Sequence, residues 1–114
     1  MERRFRLNKD SDFKRVRQFG RTYSHPLLVL IVHSNEFKIS RVGIIAGKSL
    51  GNAVSRNRIK RQLRACMKSM LSEIQGCWDI VLIPRPAIVG NDFSSVENSV
   101  RNVFHRSGLT EKNE

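Results

Sequence analysis

The chain has 114 residues, 39% of them hydrophobic, which suits one domain with one modest core. Its 21 lysines and arginines stand against 10 aspartates and glutamates, giving a net charge of +11 that is typical of a protein binding nucleic acid or an anionic membrane. No apolar run reaches the roughly 18 residues that a membrane span needs, and the first residues lead into no apolar signal region, so we expect a cytoplasmic protein without a membrane partner.

The N-terminal part of the chain predicts a basic arm followed by a short helix. Residues 1–7 are rich in arginine and are predicted to be a mobile arm. Asn8 or Asp10 is a candidate N-cap for a helix that runs to about Phe19, since either side chain can accept a hydrogen bond from a first-turn N–H. Phe13 falls on the apolar face of this helix.

Two apolar runs rich in β-branched residues come next and predict strands over 27–34 (LLVLIVHS) and 41–47 (RVGIIAG). The polar connection between them, 35–40, is short, and it therefore favours antiparallel pairing of the two strands. A further short strand over 21–24 is left open.

Residues 51–70 (GNAVSRNRIKRQLRACMKSM) predict a long helix with two contrasting faces. No residue from Ala53 onward breaks a helix, and apolar side chains recur at spacings of three and four. These are Ile59, Leu63, Cys66, Met67 and Met70. The neighbouring face, which we name the basic arc, consists of Arg56, Asn57, Lys60, Arg61, Arg64 and Lys68. A solvated charged face usually mixes signs, whereas this one has no acid, so it predicts a surface for a polyanion.

The last third of the chain predicts a buried strand over 78–83 and a loop marked by two prolines and Gly90. Asn91 or Asp92 caps a final helix that ends at Gly108, and residues 109–114 are predicted to be a frayed tail. The predicted order is helix, strand, strand, helix, strand, helix. This is an α/β (α+β) sandwich, a small mixed sheet with helices packed on it, in a single domain over 1–114.

The sequence shows no set of residues that would support catalysis or a metal site. Gly47-Lys48-Ser49 resembles the end of a phosphate-binding loop, but the glycine required five positions earlier is Val42. The histidines have no ligand spacing, and the carboxylates are scattered. Both cysteines are expected to be free, buried thiols. The chain is therefore interpreted as a binding protein without a cofactor or metal of its own.

The kind of nucleic acid follows from what surrounds the basic helix. A helix-turn-helix reader needs another helix shortly before the basic one, but a strand and a loop precede it. An RRM carries exposed aromatic residues on its central strands, and the two predicted strands have none. The pattern favours a protein that binds the shape and phosphates of folded RNA.

Residues 50–64, LGNAVSRNRIKRQLR, resemble the RNR signature of the bacterial ribonuclease P protein family, with Arg56-Asn57-Arg58 as the central triplet. Three further stretches are similar to the family: RFRLNKDSDFKRV, RVGIIAGKSLGNAV and DIVLIPRPA. The resemblance implies a subunit of a ribonucleoprotein endonuclease that removes the 5′ leader from precursor tRNA. It implies that this protein subunit broadens the range of substrates that the enzyme cleaves. It also implies that the RNA subunit does the chemistry with magnesium bound by RNA, and that the strand–helix–strand crossover is left-handed, against the usual rule.

The resemblance assigns residues to two RNA-binding surfaces. No obligate protein partner is predicted. The surface for the catalytic RNA would comprise Arg56, Asn57, Arg58, Lys60, Arg61, Arg64 and Lys68. A cleft between the first helix and the sheet would hold the single-stranded leader, at positions Phe13, Arg17, Ile31, Lys48 and Arg85. Phe13 is equally interpretable as a core residue that anchors the helix.

Three positions depart from the family pattern. Arg17 and Ile31 stand where many members have aromatic residues, and Ser49 replaces a common lysine. Stacking on an aromatic side chain contributes on the order of 1–3 kcal/mol per base, so leader binding is expected to be weaker here unless Arg17 substitutes.

Without the resemblance, the charge pattern also fits a purely structural RNA-binding protein, such as a ribosomal protein, or a DNA-binding module.

Overall fold

A four-stranded mixed sheet carries one helix on one face and two on the other. The computed structural model describes residues 3–110. The helices are α1 (Asp10–Phe19), α2 (Ala53–Met70) and α3 (Phe93–Ser107). The strands are β1 (Arg21–Ser24), β2 (Leu28–Ser34), β3 (Arg41–Ile44) and β4 (Trp78–Pro84). The predicted order of elements is confirmed, and the strand left open over 21–24 is present as β1.

The strand order in the sheet is β1-β2-β4-β3. β2 pairs with β1 and β4 in antiparallel fashion, whereas β3 runs parallel to β4. The predicted antiparallel pairing of the strands over 27–34 and 41–47 is therefore wrong, because β4 lies between them. With β4 between them, β2 and β3 are ~10 Å apart, and the six residues of the 35–40 connection are long enough to span that distance. A short connection therefore does not require the two strands to pair directly.

Each face of the sheet has its own apolar cluster. On one face, β2 and β4 pack against α2 and α3, and the predicted apolar side of α2 is buried there. On the other face, α1 covers a smaller cluster built from Leu7, Val16, Ile31 and Val81. Both faces of β4 are covered, as its nearly continuous apolar sequence indicates. α2 is the crossover from β3 to its parallel neighbour β4.

Both ends of α3 follow the predicted capping, α1 departs from it, and the cap of α2 was not predicted. Asn52 caps α2 and Asp92 caps α3, accepting from the backbone N–H of Ser55 at 3.0 Å and of Ser95 at 2.8 Å. α3 ends at Gly108 in the left-handed conformation, with φ of 82°. The prediction of a side-chain cap on α1 is wrong: its N-cap residue is Lys9, which makes no capping hydrogen bond, and side-chain contacts described below hold the helix instead.

Residues near both ends of the described range are more firmly attached than the sequence predicts. Arg6 forms a parallel bridge to Val42, and Leu7 is buried and donates its N–H to the carbonyl oxygen of Val42 at 2.8 Å. The predicted mobile arm is thus wrong at these two positions. The frayed tail is likewise wrong at Leu109, which is 1% exposed. Of the other residues that the two predictions covered, Arg3–Phe5 form one turn of 3-10 helix, and residues 1–2 and 111–114 lie outside the described residues.

Between residues 3 and 110, the structure contains no helix long and apolar enough to cross a membrane.

Candidate nucleic-acid interface

The basic arc lies along the outer side of α2, and the opposite side of this helix is fixed in the core. The rotation of the helix is set because five of its apolar residues are at most 3% exposed: Ile59, Leu63, Cys66, Met67 and Met70. Asn57, Arg61 and Lys68 are exposed, while the other members of the arc are half-exposed. Arg58 is exposed outside the arc. All seven residues predicted to bind the catalytic RNA are thus accessible.

No acidic side chain neutralises the basic arc within the described part of the chain. The ion pairs found there use Asp12, Asp79 and Glu73, and their partners are arginines of α1, β3 and α3. These acids are therefore engaged by arginines that do not belong to the basic arc. An uncompensated row of cations creates a positive potential that attracts phosphate and speeds association.

Phe13 lies against the backbone of β3 at a glycine. A Cβ atom placed on Gly43 would fall 2.4 Å from two carbon atoms of the Phe13 ring, a distance at which one of the two groups must move. The ring is half-buried and packs on the cluster beneath α1. Phe13 therefore anchors α1 and also presents part of its ring to solvent, which combines both interpretations of this residue. The need for glycine at position 43 was not evident from the sequence.

Phe13 and Arg64 line the same cavity, whose volume is about 230 Å³. The sequence assigned these residues to separate surfaces, the leader cleft and the basic arc. Arg6 and Asn8 also line the cavity. The sequence missed both, because Arg6 falls in the predicted arm and Asn8 was considered only as a helix cap. Since Arg6 is fixed by its bridge to Val42, the cavity combines an aromatic ring with guanidinium groups from two elements, which suits a nucleotide with its phosphate.

The other four predicted cleft residues do not line this cavity. Arg17, Lys48 and Arg85 are exposed, on α1, on the turn before α2 and after β4 respectively. Ile31 is 6% exposed and belongs to the cluster beneath α1. Its side chain contributes to packing and offers no surface on which a base could stack.

A buried carboxylate network joins α1 to the sheet. Asp79 on β4 is fully buried and accepts from Arg41 Nε at 2.9 Å and Nη2 at 2.8 Å. It also accepts from Arg15 Nη2 and from Asn35 Nδ2, each at 2.9 Å. Burial alone would raise the pKa of Asp79, but the hydrogen bonds from Arg41, Asn35 and Arg15 and the charge of Arg41 outweigh it and lower the pKa.

Asp12 extends the same network on α1. Its carboxylate contacts Arg15 Nη2 at 2.9 Å and Arg41 Nη1 at 3.5 Å. The guanidinium of Arg41 also lies 4.3 Å from the centre of the Phe37 ring. The network ties the N-terminal half of α1 to β3 and β4, and it therefore fixes the position of Phe13 one residue after Asp12. The carboxylates that the sequence presented as scattered are thus partly gathered into a structural cluster.

Within the described range, no three histidine, cysteine, aspartate or glutamate side chains are grouped so as to hold a metal ion. Both cysteines are free, as expected. Cys66 is buried as predicted, whereas the prediction of a buried thiol is wrong for Cys77, which is half-buried.

Comparison with known proteins gives a consistent result. The family model described as Ribonuclease P matches residues 1–108. The ribonuclease P protein component of Herpetosiphon aurantiacus is 39% identical over 109 residues, covering 96% of this chain and 89% of the relative. That of Clostridium kluyveri is 34% identical over 107 residues, covering 92% of this chain and 96% of the relative.

Solved structures agree with these sequence relatives. The RNase P protein of Staphylococcus aureus superposes with a TM-score of 0.87 at 31% identity, covering 94% of this chain and 98% of that one. The RNase P protein of Thermotoga maritima gives a TM-score of 0.81 at 28% identity, with 89% and 96% covered. The likeness therefore extends over both sheet faces and all three helices.

Proposed function

This chain belongs to the ribonuclease P protein family, and we propose that it is the accessory subunit of that enzyme, with catalysis left to the RNA. Each member of this family is the protein component of an endoribonuclease of tRNA processing, and it works together with an RNA subunit. This assignment replaces the ribosomal and DNA-binding alternatives that the charge pattern left open. The single domain is proposed to act in the cytoplasm without an obligate protein partner.

The observation that carries the proposal is the uncompensated basic arc on a helix whose other side is immobilised in the core. Arginine donates several hydrogen bonds in a fixed planar arrangement, which suits phosphate oxygens on folded RNA. We assign the surface for the catalytic RNA to the basic arc together with Arg58. Because its charges are presented by one rigid helix, little ordering entropy is lost when RNA binds.

The 5′ leader of precursor tRNA is proposed to bind beside this surface, starting at the cavity between Phe13 and Arg64. Phe13 offers part of its ring for stacking, and Arg6 and Arg64 are placed to contact phosphate. The exposed cations Arg17, Lys48 and Arg85 would extend the contact along the leader. With Ile31 buried, stacking rests on fewer platforms than the family pattern has, and phosphate contacts carry more of the affinity.

The magnesium ions of the reaction are proposed to be held by the RNA subunit. In support of this, the buried carboxylate of Asp79 is fully engaged by Arg41, Arg15 and Asn35, and that of Asp12 by arginines. Asp79 accepts two hydrogen bonds on each oxygen, so this carboxylate has no lone pair free for a metal ion. The protein would then act by binding and positioning its two RNA partners.

Reconstitution tests the accessory role. The purified protein alone should leave precursor tRNA intact, and addition of the cognate RNA subunit at low magnesium concentration should produce cleavage at the mature 5′ end. Cleavage by the protein alone that survives exhaustive ribonuclease-free purification would contradict the proposal.

A variant of Phe13 tests the leader site separately. Phe13→Ala should lower the preference for precursor over mature tRNA by about tenfold, since one stacking platform is removed. Binding to the RNA subunit should change little. A folded Phe13→Ala protein with unchanged discrimination would remove the leader from this cavity while leaving the basic arc in place.

A further inference from the structure

A second cavity, of about 220 Å³, lies on the other side of α2 from Arg64. It is formed between the first turns of α2 and the turn that follows β4 and leads to α3. Neither the basic arc nor the leader cleft includes it. Of the residues assigned to the catalytic RNA, Arg58 alone lines this cavity, and Arg58 is the one that falls outside the arc.

Two valines give this cavity an exposed apolar surface. Val54 is 75% exposed and Val89 is 47% exposed, and both line the cavity. They come from separate elements, and Ile59 below them is 3% exposed. Apolar surface left open within a basic, polar region marks a site that a flat, partly apolar group can cover.

The rim of the cavity carries side-chain amides with unused hydrogen-bonding groups. Asn91 donates from Nδ2 to the carbonyl oxygen of Ala87 at 2.7 Å, which orients the amide and leaves Oδ1 without a partner among residues 3–110. Gln62 makes no side-chain hydrogen bond within the same part of the chain. Amides supply both donors and acceptors, as the edges of nucleobases require.

We propose that this cavity binds one unpaired nucleobase extruded from the catalytic RNA. The base would lie between Val54 and Val89, with its edge at Gln62 and Asn91, and Arg58 would hold the adjoining phosphate. This inference rests on the proposed docking of α2 on that RNA. Charge selects RNA over a protein as the occupant, because Arg58, the cation that lines the cavity, forms no ion pair among residues 3–110.

Neutral substitutions separate the cavity from the arc. Gln62→Ala and Val54→Ser should each weaken binding of the RNA subunit by about three- to tenfold, through lost edge and face contacts. The salt dependence of binding should keep its slope, because neither change removes a charge. Ala65→Ser, at an exposed position of α2 outside the cavity, is the matched control and should bind as the parent does.

Chemical probing of the bound RNA identifies the base. The parent protein should protect one unpaired nucleotide at its base edge, and Gln62→Ala should restore its reactivity while protection of the backbone elsewhere remains. A photoreactive group attached through Val54→Cys, in a Cys77→Ser background, should crosslink to that nucleotide or its neighbour.

The two proposals fail differently. If Arg56→Ala weakens RNA binding while both cavity variants bind as the parent and no base is protected, the nucleobase site is overturned and the docking surface stands. Crosslinks scattered over helical RNA would also overturn it, as would a crosslink to protein alone. If the basic arc variants have no effect either, the docking of α2 itself is wrong.

Discussion

Asp79 accepts two hydrogen bonds from one guanidinium, that of Arg41, on the face of the sheet that α1 covers. Asp79→Asn should destabilise the protein by about 3 kcal/mol, because two arginines at a partly buried site lose the more buried of the two carboxylates that they share. The free energy of unfolding in urea measures the loss. Glu73→Gln is the control: it removes an exposed pair with Arg101 and should cost at most about 1 kcal/mol. Equal losses in the two variants would contradict a structural role for the network.

The same carboxylate makes stability depend on pH. Since the folded state lowers the pKa of Asp79 below its ordinary value of 3.8, its contribution is complete above that pH and is lost as the pH falls through the folded pKa. The difference in stability between the parent and Asp79→Asn should therefore shrink below about pH 4. A difference that stays constant down to pH 2 would show that the carboxylate does not titrate as described.

The contact between Phe13 and Gly43 predicts a compensating pair of substitutions. Gly43→Ala places a methyl group 2.4 Å from ring carbons of Phe13 and should destabilise the fold by about 1–3 kcal/mol. Phe13→Ala removes the obstacle, so the double variant should be more stable than the sum of the two single losses predicts. Urea unfolding of all four proteins measures this coupling. Strict additivity would mean that the ring does not occupy the space above Gly43.

Two arginines of the basic arc should behave differently. Arg56→Ala should weaken assembly with the RNA subunit and lower the slope of log K against log salt by about one unit per lost phosphate contact. Arg64→Ala should do the same and also lower discrimination for precursor tRNA, because Arg64 shares a cavity with Phe13. Arg101→Ala, which removes one charge already paired with Glu73, is the control. If all three variants shift binding equally, net charge rather than position is responsible.

Cys66 should resist thiol reagents in the native protein. Burial first, and the charge of Glu97 second, raise the pKa of the Cys66 thiol to about 11, so little thiolate exists at pH 8. One thiol, that of half-buried Cys77, should react in the folded state, and the second should react only at the rate of unfolding. In a Cys77→Ser variant no fast phase should remain; a persisting fast phase would show that the core around Cys66 is open.

The elements of this fold could be predicted where the information is local. The extent of α2 follows from a long stretch without helix breakers and from apolar residues that return every three or four positions. The buried strands follow from their β-branched composition, and the cap at Asp92 follows from a side chain that can accept a first-turn N–H. The cap at Asn52 is equally local, but it was not predicted. The basic arc could also be predicted from local sequence, since all of its residues lie on one helix.

What the sequence did not reveal depends on residues far apart in the chain. Asp79 is reached by Arg41, Asn35 and Arg15, which are 38, 44 and 64 positions away, so no local spacing marks it as a network. The cavity shared by Phe13 and Arg64 joins a residue of α1 with one of α2. The strand order was missed for the same reason, because no local pattern shows that β4 inserts between β2 and β3.

The position of β4 in the sheet also determines when the protein can fold during synthesis. β2 and β3 are both bonded to β4, whose residues are Trp78–Pro84. While β4 is still inside the ribosome, a nascent chain lacks the strand that joins β2 to β3. The basic helix α2 therefore emerges before the core that buries its apolar side is complete. Ribosome-bound chains halted before Trp78 are expected to be open to proteolysis, and those extended beyond α3 to be resistant.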